Sequence, residues 1–311
     1  MNSSHPLRIG TRGSPLALAQ AHGVRNRLAA AHAALAPEGA ISVVPIVTTG
    51  DKTQDRTLAD IGGKGLFTKE IDLALFDGSI DLAVHSLKDL PTEMPEGIAL
   101  CCIPEREDPR DALIARSARS IAELPKGAVV GTASLRRAAQ LLHRRPDLRV
   151  MPLRGNVETR IAKVDRGDAD ATLLALAGLR RLGRTDRAHP ISTEEMLPAV
   201  GQGAIAITCR AGDTATLALL APLDDAAVHT AILAERAFLR VLDGSCRTPI
   251  AALAELVGDR LTLRGLVATP DGRELLETRR EGQRADAEAI GHDAGAELLA
   301  RCGPAFFSFK A

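Results

Sequence analysis

Apolar positions in the first hundred residues switch repeatedly between strand-like and helix-like spacing. Leu7–Gly10 predicts a strand. Ser14 followed by Pro15 predicts an N-cap with proline at the first helical position, opening a helix that runs to about Leu35. Ile41–Val47 predicts a second strand. Within Lys64–Phe76, the residues Leu66, Phe67, Ile71, Leu75 and Phe76 fall at helical spacing, and Gly78 can stop that helix. Asp81–His85 then predicts a short buried strand whose end delivers Ser86, Lys88 and Asp89. Such alternation predicts a mostly parallel sheet with helices on both faces.

A second αβ unit follows. Ala128–Gly131 predicts a strand, Thr132 and Ser134 open a helix through Leu142, and Leu148–Leu153 predicts another strand. A helix near Val157–Asp165 and a strand at Ala171–Ala175 complete it. Boundaries fall near Gly97–Pro104 and Pro198–Gly203, the second leading into a strand at Ala204–Thr208. A chain that crosses over and returns in this way makes a two-lobed clamp with paired hinges. Beyond Pro222, a helix from about Asp224 to Leu242 stops at Gly244. Three strand-like runs follow, 250–257, 260–268 and 274–279, separated by Gly258-Asp259 and Pro270-Asp271-Gly272. The expected division is therefore 1–99 with 201–220, then 100–200, then a small α+β domain over 221–311 with a three-stranded antiparallel sheet.

Charge sharpens this picture. The chain has no net formal charge, yet the stretch from Gly131 to Arg184 holds twelve Lys and Arg against five Asp and Glu. Its arginines fall in tight motifs: Arg136-Arg137 in G-T-A-S-L-R-R, Arg154 and Arg160 in L-R-G-N-V-E-T-R, Arg180-Arg181 in A-G-L-R-R-L-G. A guanidinium grips carboxylate or phosphate through a planar fork, so several forks beside Ser, Thr and Gly suit a ligand bearing many anionic groups. A solvated basic face is the plainer reading. Nucleic acid is disfavoured, because the chain has no Trp or Tyr and only six Phe for base stacking. In open α/β sheets, ligands lie beyond the carboxyl ends of strands, where His85–Asp89, Thr132–Arg137 and Arg154–Asn156 all fall.

The remaining signals bound the setting. Met-Asn-Ser-Ser-His-Pro has no basic region followed by an apolar one, so no secretory signal is expected. No apolar run reaches the ~18 residues of a membrane span. Five cysteines without a C-x-x-C predict reduced thiols in a cytoplasm, with no structural metal.

Among groups able to do chemistry, Asp89 in H-S-L-K-D-L-P is the leading acid/base candidate, with a loop-capping role as the alternative. His85 reads as a packing residue at a strand end. Cys246 in L-D-G-S-C-R-T-P-I is either a small packing residue or a thiol made reactive beside Arg247. Cys101, Cys102 and Cys209 read as structural. Gly62-Gly63-Lys64-Gly65 lacks the spacing of a nucleotide phosphate loop and suits a lid over an anionic site, contributing Lys64 and Phe67. Gly10–Pro15 places Arg12 and Ser14 at a strand-to-helix turn, where free N–H groups attract a carboxylate.

Nine motifs in one order carry a family resemblance. They are I-G-T-R-G-S-P-L-A-L-A-Q, G-G-K-G-L-F-T-K-E, H-S-L-K-D-L-P, E-R-E-D-P-R-D-A, G-T-A-S-L-R-R, L-R-G-N-V-E-T-R, L-A-G-L-R-R-L-G, P-A-V-G-Q-G-A and E-R-A-F-L-R-V-L-D-G-S-C-R-T-P-I. From about Leu7 to Ile250 the chain resembles the porphobilinogen deaminases. That resemblance implies an α/β fold with two lobes like type II periplasmic binding proteins, plus a small third domain. It implies a dipyrromethane cofactor held by a thioether to Cys246. It implies a transferase that adds four porphobilinogen units head to tail, each losing ammonia, and releases hydroxymethylbilane by hydrolysis. By motif match, Asp89 is catalytic, and Ser86, Lys88, Asp89, Thr132, Ser134, Arg136 and Arg137 grip the cofactor. Arg12, Ser14, Gln20, Lys64, Phe67, Arg154, Gly155, Asn156, Arg160, Arg181 and Gln202 face the substrate. Ala133 and Asp60 depart from the common pattern, where Ser and Lys are frequent. A cytoplasmic monomer, acting on a small molecule without nucleic acid or membrane, is the corresponding expectation. Two other classes stay in view: a two-lobed binding protein for a poly-carboxylate, and a cysteine hydrolase or transferase, although no His lies near Cys246 in sequence.

Overall fold

The structure is a computed structural model, and it describes residues 6–52, 66–242, 248–303 and 306. The chain divides into two compact units, one comprising 1–55, 63–107 and 204–229, the other 56–62, 108–203 and 230–311.

The first unit is built on a five-stranded sheet of order β2-β1-β3-β10-β4. Its strands are β1 (Leu7–Arg12), β2 (Ile41–Ile46), β3 (Leu82–Ser86), β4 (Ile98–Cys102) and β10 (Ile205–Arg210). β1 runs parallel to β2 and β3, and β10 is antiparallel to β3 and β4. The sheet is thus mixed, not mostly parallel, because a strand returning from late in the chain inserts against β3. Helix α1 (Pro15–Ala31) starts on Ser14, whose hydroxyl accepts from the Ala17 N–H at 3.3 Å. It lays Ala21, Val24 and Leu28 on Ile9, Leu82, Val84 and Ile207. It stops before Leu35 because His32 turns extended and its ring bonds the Leu219 carbonyl at 2.8 Å. The short helix α2 (Thr49–Lys52) precedes α3 (Lys69–Phe76), which covers the opposite sheet face with Ile71 and Leu75 against Ile80 and Ala83. α3 begins at Lys69, so Phe67 lies in the turn before it. Its ring packs on Gly50, where a Cβ would stand 2.2 Å away. Helix α7 (Thr214–Leu220) closes the first face through Leu220.

The second unit holds two sheets. One has five strands in the order β7-β6-β8-β5-β9. These are β5 (Asp111–Ala115), β6 (Val129–Gly131), β7 (Arg149–Met151), β8 (Ala171–Ala175) and β9 (His189–Pro190). β6 runs parallel to β7 and β8, while β5 is antiparallel to β8 and β9, which repeats the pattern of the first sheet. Helices α4 (Leu135–Arg144), α5 (Val157–Arg166) and α6 (Leu176–Arg181) follow strands β6, β7 and β8. Each therefore starts at the carboxyl end of a parallel strand. The other sheet is the antiparallel meander β11 (Ile250–Val257), β12 (Arg260–Ala268), β13 (Leu275–Gln283).

Alternation along β11 explains the two faces of that meander. Ala252 and Ala254 join Phe238 and Ala234 of helix α8 (Ala226–Val241) and Leu298 of helix α9 (Ala287–Arg301), while Ala251 and Leu253 join Ala139 and Leu197. Gly265 is required there, since a Cβ would lie 2.5 Å from the Phe238 ring. Glu235 of α8 is fully buried and accepts from the N–H groups of Gly201 at 2.7 Å and Ala254 at 2.9 Å, which satisfies its carboxylate internally.

Candidate active site

In the first unit, the end of β3 tightens into a single turn over Leu87–Asp89. Leu87 is buried and anchors the turn, which leaves Lys88 exposed and Asp89 half-exposed. Arg12, at the end of β1, comes to 3.9 Å from the Asp89 carboxylate. Two contacts fix that guanidinium. Asp51 pairs with it, with Nε–Oδ1 at 3.1 Å, and the Phe67 ring stacks beneath it with its centroid 4.1 Å from Cζ. Burial opposes ionisation of Asp51, but hydrogen bonds from Arg12 and Thr48 outweigh it and hold the carboxyl below its ordinary range. Gln20 is buried and donates to the Ser86 hydroxyl at 2.9 Å. The structure thus brings Arg12, Phe67 and Asp89 together, and separately joins Gln20 to Ser86. Ser14 serves as the α1 cap. Lys64, Asp60 and Cys246 lie outside the described residues.

His85 is buried, with its Nε2 3.2 Å from the Thr208 hydroxyl. Burial, reinforced by the Arg12 charge, lowers its pKa to about 4, so the ring is neutral at pH 7. Its place in the sheet agrees with a packing role. Burial and Asp224 push the Cys102 thiol up to about 12, and the Cys101 thiol and burial also raise that of Cys209. Neither presents a ready thiolate.

In the second unit, the arginine motifs are organised by an acid to which the sequence reading gave no role. Asp111 opens β5 and is completely buried. Its Oδ2 accepts from Arg136 Nη1 at 2.7 Å. Its Oδ1 receives Arg137 Nε at 2.9 Å, Arg137 Nη2 at 2.7 Å, Arg136 Nη2 at 3.2 Å and Gln202 Nε2 at 3.0 Å. Burial alone would protonate this group, but the two guanidinium charges hold it far below the ordinary carboxylate range. Arg136 also donates to the Leu197 carbonyl and Arg137 to the Leu173 carbonyl, both at 2.8 Å. Gln202 further donates to the Pro109 carbonyl at 2.8 Å. Arg136, Arg137 and Gln202, expected at ligand positions, are thus all engaged with Asp111. The available signal was the last acid of E-R-E-D-P-R-D-A, standing at the head of the apolar run Ala112–Ala115.

Beside this cluster lie less satisfied cations. Asn156 caps α5, accepting from the Thr159 N–H at 2.9 Å. Gly155 precedes it at φ +119°, and a Cβ there would sit 2.7 Å from Thr159 Cγ2. That turn receives Arg160 Nε on the Gly155 carbonyl at 2.9 Å. Burial first, then the charges of Arg137 and Arg154, lower the Arg160 pKa to about 10. Arg154 Nη1 is buried with no hydrogen-bond partner among the described residues. Ser134 caps α4 through the Arg137 N–H at 3.4 Å, and Thr132 Oγ1 accepts from the Ser134 N–H at 3.2 Å. Arg181 reaches the Gly203 carbonyl at 2.7 Å. Among the described residues no group of His, Cys, Asp and Glu could hold a metal ion, and no single helix is long and apolar enough to cross a membrane.

Fold and charge together define a class: an α/β protein in which buried and half-buried arginines outnumber the acid at their centre. Such an excess is costly unless an anionic ligand completes it. Residues 7–218 match the family described as "Porphobilinogen deaminase, dipyromethane cofactor binding domain". Residues 229–300 match "Porphobilinogen deaminase, C-terminal domain". The chain is 57% identical over 312 residues to the chloroplastic porphobilinogen deaminase of Pisum sativum, covering 99% of this chain and 85% of that protein. It is 58% identical over 304 residues to the porphobilinogen deaminase of Nitrobacter winogradskyi, covering 97% and 96%. The chain belongs to the porphobilinogen deaminase family.

Solved structures overlap it more loosely. A lipoprotein of the YaeC family from Enterococcus faecalis V583 is 12% identical, covering 71% of this chain and 91% of that one, with a TM-score of 0.41. The periplasmic sulfonate-binding protein SsuA from Methylobacillus flagellatus KT is 16% identical, covering 76% and 68%, with a TM-score of 0.38.

Proposed function

We propose that this chain is a transferase that joins four porphobilinogen molecules head to tail on a dipyrromethane cofactor and releases hydroxymethylbilane. The family match along nearly the whole chain carries this reading. The described residues fit a ligand rich in carboxylates, because Arg154 keeps a buried donor without a partner and Arg160 stands among like charges. Ser86, Lys88, Thr132, Ser134, Arg136 and Arg137 would hold the acetate and propionate arms of the cofactor, and Cys246 would carry it through a thioether. When bound, that group supplies the primer, a pyrrole α-carbon that the first substrate unit joins.

Each addition breaks one C–N bond, forms one C–C bond and releases one ammonia and the α-proton of a pyrrole. Asp89 accepts a hydrogen bond from the substrate pyrrole N–H and stabilises the positive charge that grows as the amine departs. Its carboxylate is exposed enough to pass a proton between the leaving amine and the pyrrole α-carbon. Arg12, clamped by Asp51 and Phe67, stands beside Asp89 without saturating it. By the family match, Arg12, Ser14, Gln20, Lys64 and Phe67, and in the second unit Arg154, Gly155, Asn156, Arg160, Arg181 and Gln202, would each meet the substrate, whose two carboxylates suit arginines.

The division into 1–99 with 201–220, 100–200 and 221–311 assigns the acid, the arginines and the cysteine to successive domains. We take the protein to act as a cytoplasmic monomer on a small molecule. Intact mass tests the reading directly. Wild-type protein should carry two added pyrrole units, and Cys246→Ser should fold without them and lose most activity. Active wild-type protein of unmodified mass, or a peptide map placing the addition on Cys101, Cys102, Cys209 or Cys302, would overturn it.

A further inference from the structure

We infer that Asp111 is a positioning residue for this reaction: it sets the Arg136 and Arg137 forks at the angle and depth at which their remaining donors meet carboxylate arms. This rests on the reading above, in which those two arginines grip the cofactor.

Stability alone would not select the arrangement. One buried carboxylate needs one guanidinium, and a second adjacent guanidinium leaves a net positive charge away from water. Here both arginines and the acid are buried, with side-chain exposures of 6%, 6% and 0%. The geometry is that of a jig. Arg136 bridges Oδ2 and Oδ1, Arg137 meets Oδ1 through both Nε and Nη2, and the Gln202 amide fills the same oxygen. Backbone carbonyls of Leu197 and Leu173 fix the far side of each fork. A guanidinium has five N–H donors, and the internal contacts take three on Arg136, so donors remain for a ligand while the plane cannot rotate. Asp111 itself has no exposed surface, so it does not meet a substrate directly and acts only through the two arginines it holds.

The test measures covalent cofactor load by intact mass, with folding followed by circular dichroism and KM taken on the loaded fraction. Asp111→Asn should lower cofactor load by about ten-fold or more, the loss of a charge-assisted contact, and should raise KM more than it lowers kcat. Asp111→Glu, which keeps the charge but shifts it by one methylene, should recover part of the load. Asp111→Asn loaded like wild type, with unchanged KM, would overturn the inference.

Should Asp111→Asn fail to fold, the double variant Asp111→Asn/Arg136→Met removes one anion with one cation and keeps the net charge of the cluster. It should load at least about five-fold less than Arg136→Met, because Arg137 has lost its anchor. Equal loading, or failure of only the double variant to fold, would reduce Asp111 to a structural role. Wild-type loading and KM in Arg136→Met/Arg137→Met would instead overturn the carboxylate grip itself.

Discussion

Asp89 and Asp111 belong to sheets of one strand pattern, yet they are held in opposite ways. Asp89 lies just past the end of β3, keeps 35% of its side chain exposed, and has Arg12 at 3.9 Å. Asp111 is the first residue within β5, is wholly buried, and meets two guanidiniums and an amide. A step from strand to following turn thus separates a carboxylate open to solvent from one held as an anion by two guanidiniums. The arginines show the same contrast. Arg12 rests on a surface-side clamp of Asp51 and Phe67, whereas Arg136 and Arg137 sit deep, and their neighbours Arg154 and Arg160 have no acidic partner within 4.0 Å among the described residues. One backbone plan therefore serves two electrostatic tasks, decided by how deep each side chain sits.

The largest expected effect tests the exposed acid. Asp89→Asn should keep the fold and cofactor load but lower turnover by about two to four orders of magnitude. Asp89→Glu should fall between Asn and wild type. Steady-state formation of hydroxymethylbilane by cofactor-loaded variants checks this, and Asn activity at or above that of Glu would make Asp89 a structural cap.

A second test uses acid. His85 has a folded pKa of about 4 against 6.5 when free. Its contribution to stability is fully present above pH 6.5 and is lost as the pH falls to and through about 4, because between these two values the unfolded chain alone gains the proton. The difference amounts to roughly 3 kcal/mol across that window. Denaturant melts from pH 7 to 4 should show this slope in wild type and a flatter one in His85→Gln. Equal slopes would remove His85 from the acid response.

The unpaired cations come next. Arg154→Ala or Arg160→Ala should weaken substrate binding by about 1.5–3 kcal/mol, the worth of a charge-assisted hydrogen bond, while stability in the cofactor-free protein should hold or rise as repulsion is relieved. Titrations with porphobilinogen and melts of the Cys246→Ser background separate the two. A large fall in cofactor-free stability would show that these charges already have partners.

Smallest is a matched pair of caps. Ser14→Ala and Ser134→Ala each remove a hydroxyl that accepts from the third residue beyond it, and each should cost about 1 kcal/mol. Near-equal losses in thermal melts would confirm that the two units share this device. A cost at Ser134 well above that at Ser14 would mean that it also holds Arg137 in place.

Local pattern alone determined much of this protein. The strand at Ala171–Ala175 and the first two strands of the meander match the structure to the residue. Ser14-Pro15 and Ser134 announced their helices because capping is chemistry between near neighbours. The order of motifs announced the family.

Tertiary structure decided the rest. The chain's pattern marks β4 only as a boundary and does not mark β5, since short strands become recognisable by pairing, here with β10 and β8 from distant parts of the chain. The mixed sheet arose in the same way. The partner of Arg136 and Arg137 stands 25 and 26 residues away in sequence, and Gln202 reaches the same carboxylate across 91. Burial made that aspartate an obligatory anion, and no spacing rule within the chain encodes burial. Sequence supplied the charges and their order; the fold chose which would neutralise one another and which would be left for a ligand, because electrostatic strength depends on depth and distance rather than on position along the chain.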